Sequence, residues 1–304
     1  MKIFDQPQNF PPALFHVWEY LRVYGGATKD DIVKWVAYPS EVNAIADPDT
    51  NEGGSVKIKM PEATVRSILK VGLFLNVFCE SADLIELPVS FSRDLSYETF
   101  WHEVRECVLK YAIAGNEDQQ SESLPVAIAW YLSFPVAEIP HDWDSAAAKL
   151  AQDYNTEENV KANNAWIISN DTQWAQFARW LTALGFAREL PNRRGQGSVL
   201  VPDISRSMIP TANRILTERL IPIQEFVSQL IEDNPCLAEG HVWNLLPDVA
   251  KRRSSRYSDV LLVGLKTLKR RKVIALEEIK DSADATPFGT ANESLDRVRK
   301  AKIE

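Results

Sequence analysis

Three times along this chain a group of short amphipathic helical stretches gives way to brief apolar runs, twice as a pair around a polar turn. That recurrence limits the fold more than any other feature. In the first group, Pro11 to Tyr24 carries Leu14, Phe15, Trp18, Leu21 and Val23 mostly on one face, and Gly25-Gly26 stops it. Thr28 is a good N-cap with Asp31 at the third helical position, which predicts a second helix from Lys29 to about Ala37. Residues 40–58 are polar and read as a loop. A third helix is expected from about Pro61 to Phe74, with Val65, Ile68, Leu69 and Leu73 inward. Asn76 to Cys79 and Leu84 to Leu87 then read as two strands around a turn. Helix, helix, helix, hairpin is the order of a winged-helix module, whose hairpin is the wing.

The same order returns further on. Helical stretches cover about Tyr97 to Ala114, Leu124 to Leu132, Ser145 to Tyr154, and Gln173 to Leu184, the last capped by Thr172 and stopped by Gly185. Phe186 to Leu190 and Ser198 to Val201 flank a basic, glycine-containing tip that holds Arg193 and Arg194. A wing tip can reach phosphates or a minor groove. In the last third, Ile223 to Glu232 reads as a helix, Leu237 to Leu246 as a turn, and Ser258 as the cap of a helix running to about Arg271. Val273 to Ile279 reads as a strand and Leu295 to Glu304 as a short charged helix. The expected fold is mainly α with short β-hairpins (α+β), with two or three winged-helix-like units in tandem. Residues 1–92 would form one unit, 93–215 a helical region ending in a second helix–wing unit, and 216–304 a basic C-terminal unit. The units share an order of elements and no sequence period.

Hydrophobic residues make up 45% of the 304, enough to bury real cores. No apolar run approaches the roughly 20 residues needed to cross a bilayer. Met1 to Phe10 lacks an apolar signal core, so no membrane association and a cytoplasmic location are expected. Cys79, Cys107 and Cys236 lie far apart, have no metal-ligand spacing and read as small core residues.

The net charge of −8 at first argues against nucleic acid, but the charge is unevenly spread. Lys251, Arg252, Arg253, Arg256, Lys266, Lys269, Arg270, Arg271 and Lys272 fall in one stretch with a single acid, Asp259, which makes that stretch +8 and leaves −16 for the rest. Such a stretch is either an exposed helical face laced with ion pairs or a surface for phosphate or an acidic partner. In the winged-helix reading, Leu261, Leu262, Leu265 and Leu268 pack the last helix inward. The basic side chains then face DNA phosphates, giving affinity for double-stranded DNA without sequence choice.

Catalytic patterns are few. His16, His102, His141 and His241 are scattered, and His102 with Glu106 does not make a metal site. The phosphate-binding loops, the nucleophile elbow and the dinucleotide fingerprint are missing from the sequence, so no enzyme activity, metal or cofactor is expected. One pattern supports an alternative: Asp259 before an apolar run, then Glu278 and Lys280, is similar to the Mg²⁺-binding core of restriction-type nucleases. The plainer reading puts Asp259 in the first turn of a helix, favoured by its dipole, and Glu278 and Lys280 on an exposed strand face. Another alternative, of a different kind, is a pure protein–protein joint, as winged-helix modules provide in chromosome-organising complexes.

The run Phe177-Ala178-Arg179-Trp180-Leu181, then Leu184-Gly185-Phe186-Ala187, Val201-Pro202-Asp203, Phe226, Leu230 and the Pro235-to-Gly240 turn resembles the DpdG-like proteins. These are the G component of the bacterial Dpd cluster, which inserts 7-deazaguanine derivatives into DNA and restricts foreign DNA. The resemblance implies a non-catalytic accessory subunit of a DNA-modification or anti-phage defence complex, working beside ATPase and nuclease partners. It carries over no catalytic residue.

Overall fold

The computed structural model describes residues 3, 8–37, 61–91, 93–113, 123–154, 167–191, 198–217, 220–252, 258–277, 286–287, 294–295 and 297–301. They form a mainly helical protein with small antiparallel sheets, in two compact units, Ile3–Cys107 and Val108–Glu304.

In the first unit, α1 (Pro11–Tyr24) opens on a proline and buries Leu14, Val17, Trp18 and Leu21. The strand β1 (Ala27–Thr28) leads into α2 (Lys29–Val36), where the Asp31 N–H donates to the Thr28 hydroxyl at 3.2 Å. The next helix, α3 (Glu62–Phe74), follows Pro61, and the hairpin of β2 (Cys79–Ser81) and β3 (Leu84–Glu86) completes the set. The sheet order is β1-β3-β2, so the two-residue β1 pairs with the last strand, Ala27 opposite Ile85. Phe15, Trp18 and Phe100 meet at ring-centroid distances of 5.1–5.4 Å, with Phe100 on α4 (Tyr97–Ile113).

The second unit contains two more sets. The helices α5 (Ser123–Leu132), α6 (Trp143–Tyr154) and α7 (Asp171–Ala183) precede a hairpin of β4 (Ala187–Pro191) and β5 (Ser198–Pro202). Then come α8 (Ser205–Ile215), β6 (Ile221–Pro222), α9 (Ile223–Asp233), α10 (Asp259–Arg270) and β7 (Ile274–Glu277). The short pair β8 (Thr286–Pro287) and β9 (Ser294–Leu295) precedes β10 (Arg297–Lys300). Here the sheet order is β6-β10-β7. Apart from the inserted pair β8 and β9, the last set thus repeats the order of the first: helix, strand, helix, helix, strand, strand, with the final strand between the other two.

The third helix of every set ends in the same way. Asn76, Gly185 and Lys272 take positive φ of 56°, 80° and 56°. Their N–H groups bond back three residues, to the carbonyls of Leu73, Thr182 and Lys269. The next N–H groups, of Val77, Phe186 and Val273, bond back five residues, to Gly72, Leu181 and Leu268, at 2.9–3.0 Å. This is the Schellman cap, which satisfies the last carbonyls of a helix and turns the chain sharply into a strand.

Three expectations need correction. Leu295 to Glu304 is not a helix: Arg297–Lys300 is a strand paired with both β6 and β7, and Val298 is fully buried. Charged composition suggested a helix, but the alternation around Val298 fits a ladder. The cap of α7 is Asn170, not Thr172, since the Asn170 side chain accepts the Gln173 N–H at 2.9 Å and the helix begins at Asp171. Ser205–Ile215, to which the sequence reading assigned no helix, forms α8 despite Pro210 in its interior. It survives because Ser205, Ser207, Met208, Thr211 and Ala212 are buried, and packing overrides the loss of one backbone donor. The expected loop at 40–58 lies outside the described residues.

Candidate nucleic-acid interface

The helix at the centre of the basic stretch forms for local reasons. The Ser258 hydroxyl accepts the Leu261 N–H at 3.3 Å, and Asp259 occupies the first turn, where the helix dipole favours an acid. Val260, Leu261, Leu265 and Leu268 pack inward. Gly264 lets α8 approach closely: a Cβ there would come 2.7 Å from the Met208 sulfur. Val263, Lys269 and Arg270 are left exposed, with Lys266 partly so.

The structure separates the basic residues of the stretch. Arg252 turns inward. Its Nη2 lies 2.5 Å from Oδ1 of Asp153, a carboxylate whose side chain is 1% exposed, and its guanidinium stacks 3.9 Å over the Phe134 ring. Oδ2 of the same carboxylate accepts the Trp130 indole N–H at 2.7 Å. Lys251 pairs with Asp248 at 2.9 Å and lies over Trp243. Arg271 approaches Asp203 at 3.9 Å, and Asp203 also faces Arg188 and accepts the Ser205 hydroxyl. Lys269, Arg270 and Lys272 are exposed. Among the described residues these three have no acid partner; Arg270 makes one long bond, 3.4 Å, to the Thr267 hydroxyl. Arg253 and Arg256, and Arg193 and Arg194 of the hairpin tip, lie outside the described residues.

Two exposed cations were missed because the C-terminus read as a helix. Arg297 and Lys300 lie on β10. Lys300 is opposite Ile274, and the next residue, Ala301, donates its N–H to Val273 at 3.1 Å. The end of β10 therefore joins the turn that follows α10. The alternation Arg297-Val298-Arg299 was the available signal. Arg299 itself pairs with Glu277 across the sheet at 2.8 Å.

Among the described residues, no group of three or more His, Cys, Asp or Glu could hold a metal ion. Glu278 and Lys280 of the nuclease pattern lie outside those residues, and Asp259 is the first residue of α10. A cleft of about 290 Å³ between α7 and the β4–β5 hairpin is lined by His141, Trp174, Arg179, Glu189 and small or apolar neighbours, with no nucleophile.

A family model described as DpdG-like matches residues 1–282. The chain belongs to this family. Membership links this DpdG-like protein to the Dpd DNA-modification system. No curated protein and no solved structure matches it. Among the described residues of this DpdG-like chain, no helix is long and apolar enough to cross a membrane.

Proposed function

We propose that this DpdG-like protein is a non-catalytic DNA-binding and adaptor subunit of a Dpd-type modification and defence complex, built from winged-helix units. The observation that carries this reading is the repeated sheet order, β1-β3-β2 and β6-β10-β7. In a winged helix the strand before the second helix pairs with the last strand, and the hairpin stands beside the third helix. The set α5–α7 with β4 and β5 follows the same plan without its first strand among the described residues.

Charge divides the roles. Residues 205–304 hold seventeen basic and fourteen acidic residues, a net of +3, whereas residues 3–107 hold nine basic and sixteen acidic, a net of −7. The C-terminal set carries Lys269, Arg270 and Lys272 on its third helix and the turn after it, and contacts duplex phosphates. The first unit exposes Tyr24 (72%) and Trp35 (62%), large aromatic side chains suited to a protein partner in the complex. A pure protein joint without DNA binding is favoured by that same acidic, aromatic unit.

The test is anisotropy of a labelled duplex titrated with protein from about 50 to 200 mM salt. The wild type is compared with a variant carrying Lys269→Ala, Arg270→Ala and Lys272→Ala. The expected result is binding at roughly 10⁻⁴–10⁻⁶ M that weakens steeply with salt and has a shallower slope in the variant. No binding at about 50 mM salt overturns the DNA reading and leaves the protein joint. Mg²⁺-dependent cleavage of the duplex that Asp259→Ala and Glu278→Ala abolish would instead establish a nuclease.

A further inference from the structure

We infer that the turn joining α10 to β7 is itself a phosphate-contact site, in which Lys272 presents a cation from a backbone position that packing alone would give to glycine; the inference rests on the duplex reading above. The three Schellman caps supply an internal comparison. At the same left-handed position the first set has Asn76, the second Gly185 and the third Lys272. Glycine adopts this conformation freely and asparagine tolerates it, whereas a long side chain with a Cβ is disfavoured there. Lys272 is exposed and, among the described residues, has no acid partner to account for it. A strained residue kept at a surface turn without a packing role points to what its side chain does.

The surroundings fit a phosphodiester. The Lys272 N–H bonds to the Lys269 carbonyl at 3.0 Å, so these two lysines share one turn of chain. Lys300 faces Ile274 in the ladder, two residues beyond Lys272. Strand spacing puts the Cα atoms of Lys300 and Lys272 within roughly 12 Å, inside the reach of two lysine side chains to one phosphate. Lys269 and Lys300 are also exposed and lack an acid partner among the described residues. Three mobile ammonium groups, without a planar donor fork among them, hold anionic oxygens as point charges and do not read base edges. The predicted contact is therefore independent of DNA sequence.

The experiment measures melting temperature and duplex binding together for Lys272→Gly, Lys272→Arg and Lys300→Gln in the full chain. Lys272→Gly relieves the backbone and removes the cation, so its melting temperature rises by about 2–4 °C. Its binding weakens, with the slope of log K against log salt reduced by about 0.9. Lys300→Gln gives the same slope change, and Lys272→Arg keeps wild-type binding. Binding that is unchanged in both Lys272→Gly and Lys300→Gln, while the wild type binds, overturns this site alone. A melting temperature lowered by Lys272→Gly overturns the backbone argument for it. No binding by the wild type removes the duplex reading and this site together.

Discussion

Arg252→Ala is expected to destabilise the protein rather than to loosen DNA. Its side chain is 19% exposed, and its guanidinium meets the carboxylate of Asp153, a side chain 1% exposed, across 99 residues of chain. Removing Arg252 leaves a buried carboxylate with the Trp130 indole as its remaining partner, and strips the face of Phe134. Breaking a buried pair on one side costs about 3–5 kcal/mol. We take about 3 kcal/mol, because water can enter where the partly exposed arginine stood. For a cooperative unit of about 200 residues this lowers the melting temperature by about 6–12 °C. Calorimetry gives that number directly, and duplex titration well below the transition shows the wild-type salt slope. Asp153→Asn combined with Arg252→Met removes both charges and recovers much of the loss, since no lone buried charge is left. A shift below about 2 °C together with a shallower salt slope would refute the reasoning and return Arg252 to the DNA surface.

Two further outcomes are expected. Burial pushes the Cys236 thiol well above its ordinary range, and its Sγ lies 3.3 Å from the Pro125 carbonyl, so a thiol reagent should modify Cys79 and Cys107 in the native protein long before Cys236; rapid labelling of all three would contradict the packing. Hydrogen bonds from the Ser145 hydroxyl and N–H hold Asp142 below the usual carboxylate range. A lowered folded-state value means its contribution is present above about pH 4 and is lost as pH falls through the acid range. Melting temperatures from pH 7 to 3 should show part of this acid loss disappearing in Asp142→Asn, which keeps a capping oxygen without the charge, whereas Asp142→Ala loses about 1 kcal/mol of cap at every pH.

Local chemistry made much of the architecture legible. Pro11 and Pro61 open helices, Thr28 and Ser258 cap them, and Gly185 ends one, because each acts on backbone groups within a turn of itself. Hence α1, α2, α3, α10 and the first two hairpins were visible in the sequence, and so was the DpdG-like family. Elements defined by distant partners were not. The two residues of β1 carry no periodicity and become a strand only by pairing with β3. The strand β10 exists because β6 and β7 accept it on both sides, and α8 because its packing outweighs Pro210. The basic stretch divides for the same reason. Nine cations look alike along the chain, but a carboxylate 99 residues away draws Arg252 into the core, while a ladder brings Lys300 to the turn at Lys272. Sequence determined how much positive charge this region holds; tertiary contacts decided which cations pair inside the protein and which face solvent, since charge pairing depends on distance in space and not along the chain.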